Sequence, residues 1–210
     1  MAIKACVVIF AKAPIPGEVK TRLIPALGAE GAAMLHAALV ERAVEAANRT
    51  KFAVEVCCAP NADHPFFTDS HEEFGCVLSD QGEGNLGGRM LHALEALLHV
   101  FDQVAIVGAD CPALTSKHIK QAITCLTDID VVLIPADDGG YVLIAVRRIT
   151  PSMFDGIDWG TSTVLAQQRG ALQRAGLTFV ELETLWDVDR PEDLSRLAEL
   201  KPPLLFTLPA

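Results

Sequence analysis

An α/β fold, a three-layer sandwich whose mostly parallel sheet carries one antiparallel strand, is predicted by three features of the 210-residue chain. Short apolar, β-branched runs alternate with amphipathic stretches at helical spacing along the whole length. Units of that kind cross over right-handed and leave their strands parallel. Two runs, Asp130 to Pro135 and Tyr141 to Val146, are joined only by Ala136-Asp-Asp-Gly-Gly140, which has hairpin chemistry and is too short for a helix. That hairpin makes one strand antiparallel. Half of the residues are hydrophobic and 21% are charged, which suits a single globular domain over residues 1–210 and excludes a disordered chain.

Ala5 to Phe10 reads as the first strand, continuously apolar because both faces are covered. Residues 11–28 hold Pro14, Pro16, Gly17, Pro25 and Gly28, which predict a long ordered loop of the sort that usually serves function. A helix follows from Ala29 to Arg49, with Leu35, Leu39 and Ala46 near helical spacing. Phe52 to Cys58 forms the second strand, Pro65 opens a short helix toward Phe74, and Cys76 to Ser79 is a brief third strand. The Gly-rich stretch Gln81 to Gly88 leads into a helix from Arg89 to Val100, apolar along Met90, Leu91, Leu94, Leu97 and Leu98. Val104 to Gly108 is a buried strand that ends in Ala109-Asp-Cys-Pro112. Thr115 then caps a helix from Ser116 to Leu126. Beyond the hairpin come a helix from Ser162 to Arg174, a strand from Thr178 to Leu182 and a helix from Pro191 to Leu200. The tail, Lys201 to Ala210, is expected on the surface or loose.

Six cysteines without a Cys-x-x-Cys pair exclude zinc-ribbon and thioredoxin-like sites and predict free thiols. No basic-then-apolar leader is evident, and the first strand-like run is far shorter than a membrane span, so a cytoplasmic protein is expected. The net charge of −10 argues against nucleic acid as a partner. Charge is unevenly placed: residues 1–27 hold four basic residues against Glu18, while the remainder holds 13 basic against 26 acidic residues. The basic N-terminal loop therefore suits a small anionic ligand.

In folds of this type ligands bind at the carboxyl ends of the strands, and five polar clusters fall there. The first runs from Ala11 and Lys12 through Pro16 and Gly17 to Lys20 and Arg22; its stiff turn and projecting cations resemble a diphosphate cradle, although Val19 before Lys20 excludes a Walker A loop. The second, Gln81-Gly82-Glu-Gly84-Asn-Leu-Gly87, contains a G-x-G-x-x-G with Asp110 standing 23 residues beyond it, so a dinucleotide oxidoreductase is an alternative. The third presents Asp110 from a buried strand into a Pro-terminated turn, as a hard divalent cation requires. The fourth is the turn with Asp137, Asp138, Gly139, Gly140 and Tyr141. The fifth holds Asp187 and Asp189, whose alternation puts both side chains on one face of an extended segment.

Five ordered motifs carry a family resemblance: Phe-Ala-Lys-x-Pro-x-Pro-Gly-x-x-Lys-Thr-Arg-Leu at 10–23, Gly-Ala-Asp-Cys-Pro at 108–112, Asp-Asp-Gly-Gly-Tyr at 137–141, Trp-Gly-Thr-Ser-Thr at 159–163 and Trp-Asp-Val-Asp-x-Pro-Glu-Asp-Leu at 186–194. The chain resembles the DUF2064 family, of the GT-A nucleotide-diphospho-sugar transferase superfamily. That resemblance implies a metal-dependent glycosyltransferase using Mg2+ or Mn2+, a nucleotide-sugar or nucleotide donor and a small-molecule acceptor. By the same resemblance Ala11, Lys12, Pro16, Gly17, Lys20, Arg22, Gln81 and Gly82 would bind the nucleotide. Asp110 and Asp189, with Asp187 in reserve, would hold the metal. Asp137, Gly139, Gly140, Tyr141, Trp159, Thr161 and Ser162 would face the acceptor, with Asp110, Lys20 and the base Asp138 as the catalytic groups. A nucleotidyltransferase acting on a small phosphorylated substrate, or a nucleotide-binding protein with weak or no catalysis, are the alternatives. Asn85 and Gly88 depart from the family's acidic residues and open the second alternative.

Overall fold

The computed structural model describes residues 3–204 and 206, the side chains of 70–74 excepted; the end of the expected loose tail therefore lies outside the described residues. Seven strands form one sheet: β1 Ala5–Lys12, β2 Ala53–Ala59, β3 Val77–Asp80, β4 Gln103–Gly108, β5 Val131–Pro135, β6 Tyr141–Val146 and β7 Phe179–Glu181, in the order β3-β2-β1-β4-β6-β5-β7. Only β6 runs antiparallel to its neighbours β4 and β5; the other pairs are parallel. The hairpin strand thus sits inside the sheet, between the parallel halves.

Alternation along the buried strands divides the core. Val7, Ile9 and Val107 face helices α1 (Ile24–Asn48), α2 (Pro65–Phe74) and α4 (Ser116–Cys125), whereas Val8, Ile106 and Ile144 face α3 (Leu86–Leu98) and α5 (Val164–Arg174). A third cluster, Leu23, Leu35, Leu39, Val188 and Leu197, fastens the C-terminal segment to the start of α1. Burial of these side chains at roughly 1.5–3 kcal/mol each is what holds the layers together. The segment Thr21–Asn48 is apolar and long enough to cross a membrane, but half of its most apolar stretch is buried in the fold.

Element boundaries depart from the sequence expectation in several places. The loop predicted to reach residue 28 contains a 3-10 turn at Thr21–Leu23 and a first helical turn from Ile24, but Gly28, with φ 70° and ψ 168°, breaks the helix, so the long part of α1 begins after residue 28 as expected. Pro25 occupies the first turn of α1, where its missing N–H is not needed, so it starts the helix rather than preventing it. Helix α3 begins at Leu86, because the Asn85 side chain accepts from Gly88 N and caps it. The last helix, Pro191–Glu199, is 3-10, and a 3-10 turn not foreseen in the sequence covers Pro151–Phe154.

Candidate active site

Strands β1 and β4 are neighbours, so their carboxyl ends bring Lys12 and Asp110 to one edge of the sheet. The segment 186–189 is stitched over that edge: Val188 N donates to the Asp110 carbonyl at 2.9 Å, and Lys20 Nζ donates to the Val188 carbonyl at 2.5 Å. Lys20 Nζ also pairs with Asp110 Oδ1 at 2.6 Å, with its own side chain only 4% exposed. Its backbone adopts φ 47°, a left-handed conformation that turns the side chain inward. Arg22 pairs with Asp189. His36, on the buried face of α1, donates from Nε2 to the Lys12 carbonyl at 3.0 Å and sets Nδ1 3.8 Å from Asp110 Oδ1.

These groups line a cavity of about 500 Å3 in which Lys12, Lys20, Arg22 and Arg89 face Glu18, Asp110 and Asp189, with Phe10 and Leu86 as apolar walls. A second cavity of about 350 Å3 adjoins it and shares Phe10, Arg22, Leu86, Gly108, Asp110 and Asp189. Its charge is reversed. Asp110, Asp138, Asp187 and Asp189 face a single cation among the described residues, Arg22, beside Tyr141, Trp159 and Thr161. Tyr141 and Trp159 meet edge to face with centroids 6.5 Å apart, and the Tyr141 hydroxyl donates to Gln168 Oε1. Gly87 gives Trp159 room, since a Cβ there would lie 2.8 Å from its ring.

Of the residues singled out in the sequence, Ala11, Lys12, Lys20, Arg22, Gln81, Asp110 and Asp189 line the first cavity, and Asp138, Gly140, Tyr141, Trp159, Thr161 and Asp187 line the second. The expected alternation of Asp187 and Asp189 is present, both facing one cavity. Pro16, Gly17, Gly82, Asp137, Gly139 and Ser162 do not line either. Pro16 and Gly17 lie exposed in a turn, and Gly82 lies exposed in the connection from β3 to α3. Asp137 pairs outward with Arg196 at 2.7 Å, and Gly139 and Ser162 pack on each other behind the cavity wall. Lys20 does not project as a free cation, because its ammonium is occupied by Asp110 and Val188. His36 and Arg89 went unnoticed in the sequence: one sits among the apolar residues of a long helix, the other at the expected first residue of α3.

Electrostatics separates the carboxylates. Burial alone would raise the Asp110 pKa, but Lys20, His36 and Lys12 outweigh it and hold it below the ordinary value. Asp187 is pushed up to about 6, first by burial and then by Asp138 and Asp110, with Lys20 only partly opposing. A carboxyl whose pKa is higher in the folded state than in the unfolded chain contributes stability fully below about 3.8, and that contribution disappears as the pH rises through about 6. With partial solvent screening the loss is about 1–2 kcal/mol. Chemical denaturation of wild type and Asp187→Asn at pH 4 and pH 7 should show this component in wild type and its absence in the variant. His36 is held below its ordinary pKa by burial, so the imidazole stays neutral near pH 7. Burial raises Tyr141, which keeps its proton.

Residues 39–161 match the profile of a family described as an uncharacterized protein conserved in bacteria, DUF2064. The chain belongs to the DUF2064 family. The match takes in Asp110 and the 137–141 turn but not the loop at 10–23 or the segment at 186–194, whose relation to the site rests on geometry. A candidate nucleotide-diphospho-sugar transferase from Desulfovibrio desulfuricans G20 is 32% identical to this DUF2064 chain and superimposes with a TM-score of 0.81 over 90% of this chain and 84% of its own. The 2-phospho-L-lactate guanylyltransferase of Methanothermobacter thermautotrophicus is 25% identical over 124 residues, 58% of this chain; the match spans about half (53%) of that curated relative. Glucosyl-3-phosphoglycerate synthase from Mycobacterium tuberculosis, solved with Mn2+ and uridine diphosphate, shares the fold at a TM-score of 0.57 and 12% identity, over 93% of this chain and 76% of its own. The DUF2064 chain thus has the GT-A-like fold, which these nucleotidyl- and glycosyltransferase neighbours share.

Proposed function

We propose that this DUF2064 chain is a divalent-cation-dependent glycosyltransferase that takes a nucleotide-diphospho-sugar and passes its sugar to a small-molecule acceptor. The observation that carries the reading is the pair of contiguous cavities of opposite charge. A diphosphate suits the first, where Lys12 and Arg22 supply donors. The acceptor and the sugar passed to it suit the second, where carboxylates accept from hydroxyls and the faces of Trp159 and Tyr141 cover apolar ring surface. The bond to be broken would lie at the shared wall, beside Asp110, Asp189 and Arg22.

The carboxylates meet one requirement for a hard cation, since oxygen donors gather there with surplus negative charge, and Asp138 and Asp110 add to burial in raising Asp187 to about 6. Among the described residues no group of three or more His, Cys, Asp or Glu is placed to hold an ion alone, so phosphate oxygens of the donor would complete the set. Asp110 and Asp189, with Asp187 beside them, would hold Mg2+ or Mn2+, which when bound neutralises charge developing on the departing diphosphate. Lys20 acts through Asp110, fixing its carboxylate against the 186–189 segment. Asp138, fixed by accepting from Gly140 N at 2.8 Å, is placed to take the proton of the acceptor hydroxyl.

Nucleotidyl transfer is the second reading, supported by the guanylyltransferase relative. Its acceptor is a phosphate, which the acidic second cavity would repel. Incubation with nucleotide-sugars and with nucleoside triphosphates, each with Mg2+, Mn2+ or EDTA and pooled hydroxyl or phosphorylated acceptors, separates the two. The proposal expects metal-dependent release of a nucleoside diphosphate from one nucleotide-sugar. Pyrophosphate release from a triphosphate would replace it with nucleotidyl transfer.

A further inference from the structure

We infer that Arg89 selects the base of the donor, and that the base it selects is guanine. The inference rests on reading the first cavity as the nucleotide site. Gln81, the first residue after β3, is buried and engaged at every polar position of its side chain: Nε2 donates to the carbonyls of Ala11 (3.1 Å) and Cys57 (2.8 Å), and Oε1 accepts from Arg89 Nη1 at 2.6 Å. Its backbone N donates to the Cys58 carbonyl at 2.9 Å. Gln81 is therefore a strut tied to the ends of β1 and β2, and what it fixes is the guanidinium of Arg89. The Nε of Arg89 is buried with no partner among the described residues.

Place in the sheet decides which part of the donor Arg89 meets. In the order β3-β2-β1-β4, the Gln81 amide spans β2 and β1 while Asp110 follows β4, one to two strand spacings away, or about 5–10 Å. Arg89 thus stands at the nucleoside end of the cavity when the diphosphate lies against Asp110 and Asp189. Phe10 and Leu86 supply apolar surface for a base plane in the same cavity. A guanidinium only donates hydrogen bonds. Guanine presents two adjacent acceptors, O6 and N7, on an edge that carries no donor; adenine places an amino donor there, uracil a single carbonyl, and the acceptor pair of cytosine, N3 and O2, lies between its amino group and the ribose.

Calorimetric titration of GDP, UDP, ADP and CDP with Mg2+ present tests this in wild type, Arg89→Ala and Arg89→Lys, with thermal unfolding confirming that each variant is folded. Wild type should bind GDP at least about tenfold more tightly than ADP or CDP. Arg89→Ala should lose that preference while holding ADP and CDP within about twofold, and Arg89→Lys, which keeps the charge but not the planar fork, should lose it too. 7-Deaza-GDP, lacking one acceptor, should bind wild type more weakly than GDP. Equal affinity of wild type for the four diphosphates overturns the inference, as does a uniform loss across all four in Arg89→Ala, which would mark a phosphate contact. In both those cases the donor-site reading survives. If folded wild type binds no nucleoside diphosphate, that reading itself fails.

Discussion

Lys20→Met is expected to destabilise the fold by about 3 kcal/mol, the low end of what removing one partner of a buried ion pair costs. Lys20 is buried to 4% side-chain exposure, and its loss would strand the Val188 carbonyl and the inward oxygen of Asp110 together. The low end applies because the Asp110 side chain is 49% exposed and water can partly replace the ammonium. The effect depends on pH in a defined direction. Asp110 is held below its ordinary value in the folded state, so its pairing contributes stability above about 3.8 and loses it as the pH falls through the depressed folded value. Denaturant unfolding should show the largest difference between wild type and Lys20→Met near neutrality, shrinking toward acid. A second substitution supplies the check: adding Asp110→Asn to Lys20→Met removes the stranded charge and should cost less than the two single effects summed. Additive losses would show that Lys20 acts by packing alone.

Lys20 also shows where the sequence stops being informative. Lys12, Lys20 and Arg22 share one loop and one sign, and nothing in their spacing distinguishes a cation facing a ligand from one facing the protein. The left-handed backbone at Lys20 makes that distinction, and it depends on Val188, 168 residues away. The strand ends were legible for the opposite reason. Continuous apolar runs terminated by Asp110 or by the 137–141 turn need only local chemistry to be recognised, and the parallel topology then gathers them at one edge. Asp137 and Asp138 mark the boundary between the two cases. A tight turn can be read in both, yet one pairs with Arg196 and the other enters a cavity. His36 was hidden by its own periodicity, since it occupies a core-facing position among the apolar residues of α1 and only the tertiary packing sets it beside Asp110. Arg89 gave one signal that went unused, a long cation directly after a glycine-rich strand-to-helix connection. The antiparallel strand was legible from the short hairpin, but its insertion between β4 and β5 was not, because strand order is a long-range property.

The 137–141 turn and the 159–163 loop reach the second cavity as one interlocked unit, and Gly139 is the joint. A Cβ at this position would stand 2.1 Å from the Ser162 carbonyl oxygen, far inside any contact distance, and the residue already has φ 94°. The Leu165 amide also donates to the Gly139 carbonyl at 2.9 Å, so the two segments cannot separate without losing a backbone hydrogen bond. Gly139→Ala should therefore cost about 3 kcal/mol or more, combining left-handed strain of about 1–2 kcal/mol with displacement of the loop. Gly160→Ala isolates the first component. Gly160 has φ 81° in the neighbouring loop but nothing within 4 Å of an added Cβ, so only the strain should appear in its unfolding free energy. Displacement of the 159–163 loop moves Trp159 and Thr161, which line the second cavity, and leaves Lys12, Gln81 and Arg89 of the first in place. Gly139→Ala should consequently raise the acceptor KM severalfold while nucleoside diphosphate affinity stays within about twofold of wild type. Equal losses at both cavities would mean that the turn supports the whole sheet edge, and the division of the site into a donor half and an acceptor half would not stand.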